Sequence, residues 1–146
     1  VCSSDLDYSE LSVKSSEKLN SKNILCNKAK ILQASVSDMP FDNNTFDNIT
    51  AVETYYFWPD KENDVKEVFR VLKQGGTVML LFEMLRTDDD PFKWEKVENM
   101  LNIKSVTPQE IRAVLESAGF ENINTYTKEG TTWLCATAQK PKGDEN

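Results

Sequence analysis

The sequence of 146 residues contains no histidine and only three cysteines, Cys2, Cys26 and Cys135. Three widely spaced cysteines are too few for a disulfide framework or a zinc site. We therefore interpret Cys26 and Cys135 as reduced thiols of a cytoplasmic protein. Without histidine, any general base in this chain must be a carboxylate, a tyrosine or a lysine. No metal site is expected, because an acidic run such as Asp88-Asp89-Asp90 is usually a solvated loop.

The chain also lacks an excess of positive charge and a long apolar run. Its formal net charge is -7 and its pI is about 4.7. A nucleic acid or an anionic membrane is disfavoured as a partner, because binding either one needs a basic patch. No stretch approaches the roughly 18 apolar residues of a membrane-spanning helix. The composition therefore favours a small molecule as the partner.

The first six residues, V-C-S-S-D-L, have an unusual origin in our interpretation. They match the translation of GTG TGC TCT TCC GAT CT, the end of a common sequencing-adapter oligonucleotide. We expect residues 1–6 to be an artefact and exclude them from fold reasoning; the alternative is a genuine N-terminus of unusual composition. One partial domain is then expected over residues 7–139, followed by a polar tail at 140–146.

The rest of the chain alternates capped helices with buried apolar runs. Helices are predicted after the cap Ser9, from Asp60 to the glycine pair Gly75-Gly76, and after the capping box that begins at Thr107. The apolar run at 77–82 is typical of a parallel strand buried on both faces. Strands alternating with helices imply a mostly parallel α/β sheet. Parallel strands are predicted near 30–35, 47–53 and 77–82, and an antiparallel hairpin at 121–139.

Two segments of this pattern, F-D-N-I-T-A-V-E and G-G-T-V-M-L-L-F-E, carry most of the functional information. With the loop and helix between them they resemble the cofactor domain of class I S-adenosylmethionine-dependent methyltransferases, with a type 11-like methyltransferase domain. The resemblance covers roughly residues 7–139. It implies a Rossmann-like fold that ends in an antiparallel hairpin, and methyl transfer from S-adenosyl-L-methionine to a small-molecule acceptor.

The family's first strand and glycine-rich loop have no counterpart in this sequence. We therefore expect an N-terminally truncated fragment that is inactive alone. In the family the first strand lies between the second and the fourth, so the strand near 47–53 is expected to have an open edge or to pair with a substitute strand. We also expect cofactor binding at least about a hundredfold weaker than in a protein that carries the loop, a loss of roughly 2.7 kcal/mol.

In open α/β sheets, ligands bind beyond the carboxyl ends of the strands. At these ends the resemblance implies that Asp7 accepts hydrogen bonds from the ribose hydroxyls, with Tyr8 beside the adenine. Ser35 stands where the family commonly has an acidic residue that binds the adenine amino group, a role that nearby residues could also take. Glu53 would hold the amino group of the cofactor or orient the substrate. The predicted cofactor-binding residues are Asp7, Tyr8, Ser35, Val36, Ser37, Asp38 and Glu53.

Four successive aromatic residues follow the strand near 47–53. All four cannot face one core, so we expect two in the core and two lining a cavity. Aromatic faces attract a sulfonium cation by about 0.5–2 kcal/mol, and they also suit an apolar acceptor. The region after the strand at 77–82 varies with substrate in the family and supplies two further aromatics. The predicted acceptor-binding residues are Tyr55, Tyr56, Trp58, Phe92 and Trp94, and no catalytic residue is assigned.

Two other classes of function share this pattern. A nicotinamide-dinucleotide-dependent oxidoreductase has the same parallel sheet and a ribose-binding carboxylate. A non-catalytic binding domain of the same fold is the other alternative, because a fold does not determine a function. The predicted terminal hairpin and the spacing of the two quoted segments favour the methyltransferase.

Overall fold

The computed structural model describes residues 3–89 and 93–143, which divide into two compact units. The first unit ends at Pro40 and the second begins at Phe41. The predicted parallel strands and the predicted C-terminal antiparallel hairpin are both present. None of the described helices is long and apolar enough to cross a membrane.

The first unit is a strand, two helices and a second strand parallel to the first. Its longer helix begins as predicted, because the Ser9 hydroxyl oxygen accepts a hydrogen bond from the N–H of Ser12 at 3.3 Å. Residues 3–6 form most of the first strand; that residues 1–6 are an artefact stays a prediction. The elements are β1 (Ser3–Asp7), α1 (Glu10–Leu19), α2 (Ser21–Leu25) and β2 (Ala29–Gln33).

The second unit contains a four-stranded sheet in the order β3-β4-β6-β5. The β3 and β4 strands are parallel, whereas β6 is antiparallel to both of its neighbours. Within the described residues β3 pairs only with β4, so its other edge has no strand partner there, which is one of the two expected outcomes. The elements are β3 (Phe46–Val52), a 3-10 turn (Tyr55–Phe57), α3 (Lys61–Val71), β4 (Leu72–Phe82), α4 (Glu95–Leu101), α5 (Pro108–Ser117), β5 (Glu121–Thr127) and β6 (Leu134–Gln139).

In the second unit, α3 and α5 begin where the sequence predicts and bury one face. The Asp60 carboxylate accepts from the N–H of Asn63 at 3.2 Å, and Thr107 forms the capping box with Glu110. The core is formed by apolar side chains of α3, α5, β4 and β6. Its fully covered members include Val65, Val71, Val78, Leu80, Phe82, Ile111, Leu115 and Leu134.

Two details of the predicted fold are wrong. The β4 strand is fully buried on one face only, since Val78, Leu80 and Phe82 are buried while Met79 and Leu81 are half-buried. Successive side chains of a strand point to opposite faces, and an apolar run alone does not show that both faces are covered.

The glycine pair Gly75-Gly76 also does not end α3, which stops at Val71. Both glycines lie in the irregular start of β4, where the register with β3 shifts. A Cβ on Gly76 would lie 2.8 Å from the carbonyl oxygens of Asp47 and Lys73, so the close approach of these backbones requires glycine.

Candidate functional site

The first unit brings the carboxyl ends of β1 and β2 together. The N–H of Ala34 donates to the carbonyl of Asp7 at 3.0 Å, and Gln33 Nε2 donates to the carbonyl of Tyr8 at 3.2 Å. The side chains of residues 7 and 8 and the loop at 35–38 therefore leave the sheet from neighbouring points. This is the placement expected for a ligand site at the end of a parallel pair.

The Asp7 carboxylate has one engaged oxygen and one available oxygen. Its Oδ1 accepts a hydrogen bond from the N–H of Ser9 at 2.7 Å, which holds the turn into α1. Within the described residues, no hydrogen bond reaches Oδ2. The Tyr8 side chain is 73% exposed beside it. A ligand hydroxyl can therefore reach an ionisable oxygen whose position is already set by the backbone.

The loop after β2 has a local hydrogen-bond pattern of its own. The Ser35 hydroxyl oxygen accepts from the N–H of Ser37 at 3.1 Å, and its carbonyl accepts from the N–H of Asp38 at 3.2 Å. Ser35 and Val36 are half-buried, whereas Ser37 and Asp38 are exposed. The Ser35 hydroxyl oxygen already accepts one hydrogen bond, from the N–H of Ser37. The exposed carboxylate of Asp38 is therefore an alternative hydrogen-bond acceptor for a ligand.

In the second unit, Glu53 directly follows β3 with an unusual backbone. Its φ of 59° is in the left-handed region that favours glycine, and its N–H donates to the carbonyl of Leu81 at 3.0 Å. Oε1 of the Glu53 carboxylate is buried and without a hydrogen-bond partner among the described residues. Burial raises the pKa of Glu53, the Glu83 charge adds to the increase, and the Glu83 N–H opposes it.

The aromatic run divides as expected into a buried half and a more accessible half. Tyr55 and Tyr56 are 5% and 4% exposed, and their rings lie 5.5 and 5.8 Å from the ring of Phe82. Phe57 is exposed and Trp58 is half-buried. The rings of Tyr55 and Tyr56 are thus part of the core. Beyond this packing, Tyr56 contributes its hydroxyl group.

The Tyr56 hydroxyl connects the turn after β3 to the end of β4. Its oxygen accepts a hydrogen bond from the N–H of Met84 at 2.8 Å. Burial, the largest cause, raises the pKa of Tyr55 and of Tyr56 to about 12. Both hydroxyls therefore keep their protons at neutral pH, and Tyr56 can still donate its own.

Lys61 fixes the aromatic turn from the first residue of α3. Its Nζ donates to the carbonyls of Tyr56 and Trp58 at 3.3 and 3.4 Å and lies 5.5 Å from the centroid of the Tyr55 ring. Burial lowers the pKa of Lys61. The turn is therefore held by a charged group as well as by ring packing.

Of the two aromatics predicted after β4, Trp94 is half-buried and Phe92 lies outside the described residues. The indole N–H of Trp94 donates to the carbonyl of Leu85 at 3.0 Å. Trp94 is thereby tied to the chain just beyond β4. Its contact with an acceptor stays a prediction.

Sequence reasoning missed two features of this region. The backbone N–H of Met84 donates to the Tyr56 hydroxyl oxygen in the turn after β3, and no sequence pattern indicates this. Asp64 is completely buried, with Oδ2 accepting from the N–H of Asp60 at 2.9 Å and Oδ1 unpartnered in the described part of the chain. A periodicity count could have identified it, because Asp64 lies on the same helical face as Val68 and Val71.

No metal-binding group of three or more His, Cys, Asp or Glu side chains occurs in residues 3–89 and 93–143.

The geometry agrees with a family match to the sequence. Residues 4–80 match the model of the methyltransferase domain, so more than half of the chain is covered. The chain belongs to the methyltransferase domain family. The α/β sheet with a C-terminal hairpin that the sequence predicts is the fold of this family.

Curated relatives and solved structures agree with this assignment. The chain is 29% identical over 126 residues to the uncharacterized methyltransferase YdaC of Bacillus subtilis. The alignment covers 85% of this chain and 64% of the relative. It is 32% identical to the ubiquinone/menaquinone biosynthesis C-methyltransferase UbiE of Cronobacter sakazakii, over 78% of this chain and 54% of that protein. The chain thus spans about half to two thirds of these relatives.

Among solved structures, the [4+2]-cyclase SpnF superposes with a TM-score of 0.81 at 16% identity. The superposition covers 96% of this chain and 66% of the cyclase. At this identity the likeness concerns the fold alone. This neighbour is named a cyclase and not a methyltransferase, which illustrates that one fold can support different reactions.

Proposed function

We propose that the protein transfers a methyl group from S-adenosyl-L-methionine to a small-molecule acceptor. Membership of the methyltransferase domain family supports the reaction class. The observation that carries the cofactor assignment is the Asp7 carboxylate at the end of β1, with Oδ1 anchored and Oδ2 free within the described residues. Such an oxygen fits a ligand with adjacent hydroxyls, as a ribose has, because charge-assisted hydrogen bonds are about twice as strong as neutral ones.

Each unit would contribute separate functions. In the first unit, Asp7 would hold the ribose, Tyr8 would lie beside the adenine, and the loop at 35–38 would bind its amino group. In the second unit, Glu53 would act on the amino group of the cofactor or on the acceptor, and Trp58, Phe92 and Trp94 would line the acceptor region. When bound, S-adenosyl-L-methionine supplies a methyl group on a positively charged sulfur. Placing a nucleophile close to that methyl group is the main requirement for transfer, so the absence of histidine is compatible with the reaction.

The acceptor and the location of the protein belong to the same proposal. The name of the UbiE relative refers to quinone biosynthesis, which is consistent with a small organic acceptor. The net charge of -7 disfavours a nucleic acid or an anionic membrane as a partner. The separated cysteines favour the cytoplasm.

Calorimetric titration with S-adenosylhomocysteine tests the cofactor assignment. Asp7→Asn keeps an oxygen for the Ser9 N–H but removes the charge, so we expect affinity to fall at least about tenfold, or 1.4 kcal/mol. Asp5→Asn is the matched control, because Asp5 is an exposed acid of the same strand and its change should alter affinity less than about twofold. Titrations carried to millimolar ligand will also detect weak binding.

Equal losses in the two variants would argue against Asp7 as a ribose ligand. Tighter binding of a nicotinamide dinucleotide than of S-adenosylhomocysteine would replace this proposal with the oxidoreductase alternative. Binding of S-adenosylhomocysteine without methyl transfer to any acceptor would favour the non-catalytic domain.

A further inference from the structure

The Glu53 carboxylate lies just beyond β3, near the backbone N–H of Glu83 that follows β4. Oε1 is buried and has no hydrogen-bond partner in the described part of the chain. A buried acceptor without a partner carries the full penalty of desolvation, and native proteins contain few such groups. A ligand that donates a hydrogen bond to Oε1 would remove this penalty.

The backbone at Glu53 gives a second reason to look for a ligand. Its φ of 59° is costly for any residue with a Cβ, and glycine would adopt it more easily. The N–H of Glu53 is held by the carbonyl of Leu81 at 3.0 Å, which ties this conformation to the end of β4. Neither the backbone conformation nor the free oxygen stabilises the fold, so stability does not account for a glutamate here.

The groups around Glu53 define the charge of a suitable ligand. The carboxylate of Glu83 acts on Glu53 from the end of β4, and the Tyr56 hydroxyl is close enough to be affected by the Glu53 charge. Tyr56 is neutral and keeps one proton to donate, because its oxygen accepts from Met84. Two carboxylates and one neutral hydroxyl favour a cationic group that carries N–H donors.

We propose that Glu53 binds the protonated amine of the methyl acceptor and accepts its proton on Oε1. This inference rests on the proposed methyl transfer, and it names the acceptor class as amines. Of the two roles that the sequence leaves open for Glu53, it selects the one directed at the acceptor. It also assigns a catalytic residue, which the sequence did not identify.

The proton and electron balance of the step is simple. An ammonium group has no free electron pair, so it must lose a proton before it can react as a nucleophile. That proton moves to Glu53 Oε1 and leaves a neutral amine and a neutral carboxylic acid. The nitrogen electron pair then forms the N–C bond as the S–C bond breaks, and the electrons of that bond stay on sulfur as a neutral thioether. The product is a methylated ammonium, and Glu53 returns its proton to water.

The environment of Glu53 suits a base better than a simple anchor for a cation. Burial raises the pKa of Glu53 above its ordinary value of 4.5, and the neighbouring Glu83 charge adds to the increase. A general base is most effective when its pKa approaches the working pH. The described carboxylates with a lowered pKa, Asp60, Glu98 and Glu110, all accept hydrogen bonds from the chain that stabilise their charge.

Binding of 2-phenylethylamine and of its uncharged analogue 2-phenylethanol tests the acceptor class. The wild-type chain, with S-adenosylhomocysteine present, should bind the amine at least tenfold more tightly than the alcohol. Glu53→Gln should remove this preference, since the amide keeps the shape but carries no charge. Equal affinities of the wild type for the two probes, or an unchanged preference in Glu53→Gln, would overturn the inference.

The pH dependence of amine binding distinguishes a binding role of Glu53 from a purely structural role, because a structural role would leave this dependence unchanged. Amine binding should weaken as the pH falls through the pKa of Glu53, because the carboxylate becomes neutral. Glu83→Gln keeps the backbone N–H but removes the neighbouring charge, so it should shift this midpoint to lower pH. A midpoint that stays in place in Glu83→Gln, or that persists in Glu53→Gln, would show that another group controls binding.

Methyl transfer from tritiated S-adenosyl-L-methionine to 2-phenylethylamine tests the role as a base. Glu53→Gln should slow transfer at least about a hundredfold, the lower end of the usual effect of a general base. Equal and measurable rates in the two proteins would contradict that role. The binding of S-adenosylhomocysteine separates the two proposals: if the wild type does not bind it, the proposed function fails. If both proteins bind it equally and the amine shows no preference, only this inference fails.

Discussion

The two units share a strand–helix–strand pattern but differ in how their helices are stabilised. In the first unit Val13 and Met39 are the buried apolar side chains among the described residues, while Leu19 and Leu25 are 85% and 86% exposed. In the second unit the buried faces of α3 and α5 include Val65, Val68, Ile111 and Leu115. Because helices in proteins gain most of their stability from packing, the second unit should be far more stable than the first.

This difference bears on function, because the proposed ribose ligand lies in the weakly packed unit. The α1 helix that follows Asp7 relies on its Ser9 cap and an exposed ion pair between Glu10 and Lys14. Exposed pairs contribute little, typically below about 1 kcal/mol. In contrast, the Glu53 oxygen without a hydrogen-bond partner among the described residues lies in the second unit. The larger core of that unit can offset the energetic penalty of burying this oxygen.

Core truncation should show the largest contrast between the units. Leu115→Ala removes a side chain that is 1% exposed, so we expect a loss of about 2–5 kcal/mol in the free energy of unfolding. Leu19→Ala in α1 should change it by less than about 0.5 kcal/mol. Chemical denaturation followed by circular dichroism measures both, and similar losses would mean that α1 contributes to a core after all.

A smaller contrast is expected at the ends of the helices. Lys140 Nζ donates to the carbonyls of Phe69 and Leu72, both at 2.8 Å, and so joins the end of α3 to the end of β6. Lys140→Met leaves these partly buried carbonyls unpaired and should cost about 1–3 kcal/mol. In the first unit, Asn20 Nδ2 donates only to the carbonyl of Ser16 within its own helix.

Asn20→Ala is the comparison variant and should cost less than about 1 kcal/mol. Thermal unfolding should therefore give a lower midpoint for Lys140→Met than for Asn20→Ala. The reverse order would show that the contacts within α1 matter more than the long-range link from β6.

The smallest effect is expected at Glu53, and it has the opposite sign. Glu53→Gly relieves the left-handed backbone and removes the unpaired oxygen, so we expect a gain of about 1 kcal/mol in stability. Loss of stability in this variant would indicate that Glu53 supports the fold. A gain in stability together with loss of amine binding would identify a residue retained for function.

The same residue should make stability depend on pH. The folded-state pKa of Glu53 is raised, so the charged side chain destabilises the fold above that pKa. The penalty is absent below the unfolded value of about 4.5. Glu53→Gln should therefore be more stable than the wild type at pH 7, and the difference should vanish as the pH falls below about 4.5. A difference that is constant across this range would point to a cause other than ionisation.

Local patterns predicted much of the fold because their causes are local. The caps Ser9, Asp60 and Thr107 begin helices as expected, since a side-chain oxygen satisfies an N–H a few residues away. The parallel strands and the hairpin follow from apolar runs and turn residues. The end of α3 could not be predicted, because Gly76 is required by the approach of the Asp47 and Lys73 carbonyls and not by the helix.

The rule that ligands bind at the carboxyl ends of parallel strands selected Asp7, Ser35 and Glu53, whose roles stay predictions. Asp7 is the last residue of β1, Glu53 directly follows β3, and Ser35 lies two residues beyond the end of β2. Their hydrogen bonds could not be predicted. The N–H of Met84 lies 28 residues along the chain from the Tyr56 side chain that it binds, and such partners depend on how two strands align.

The sequence by itself determined the α/β class, the family resemblance, the helix starts and the acidic residues at the strand ends. These depend on residue type and short-range spacing, which folding does not alter. Only the tertiary structure decided which face of β4 is covered, which two of the four aromatics enter the core, and that Glu53 keeps a buried oxygen free. These properties arise from groups distant in sequence, because burial and hydrogen bonding are set by what packs against a residue.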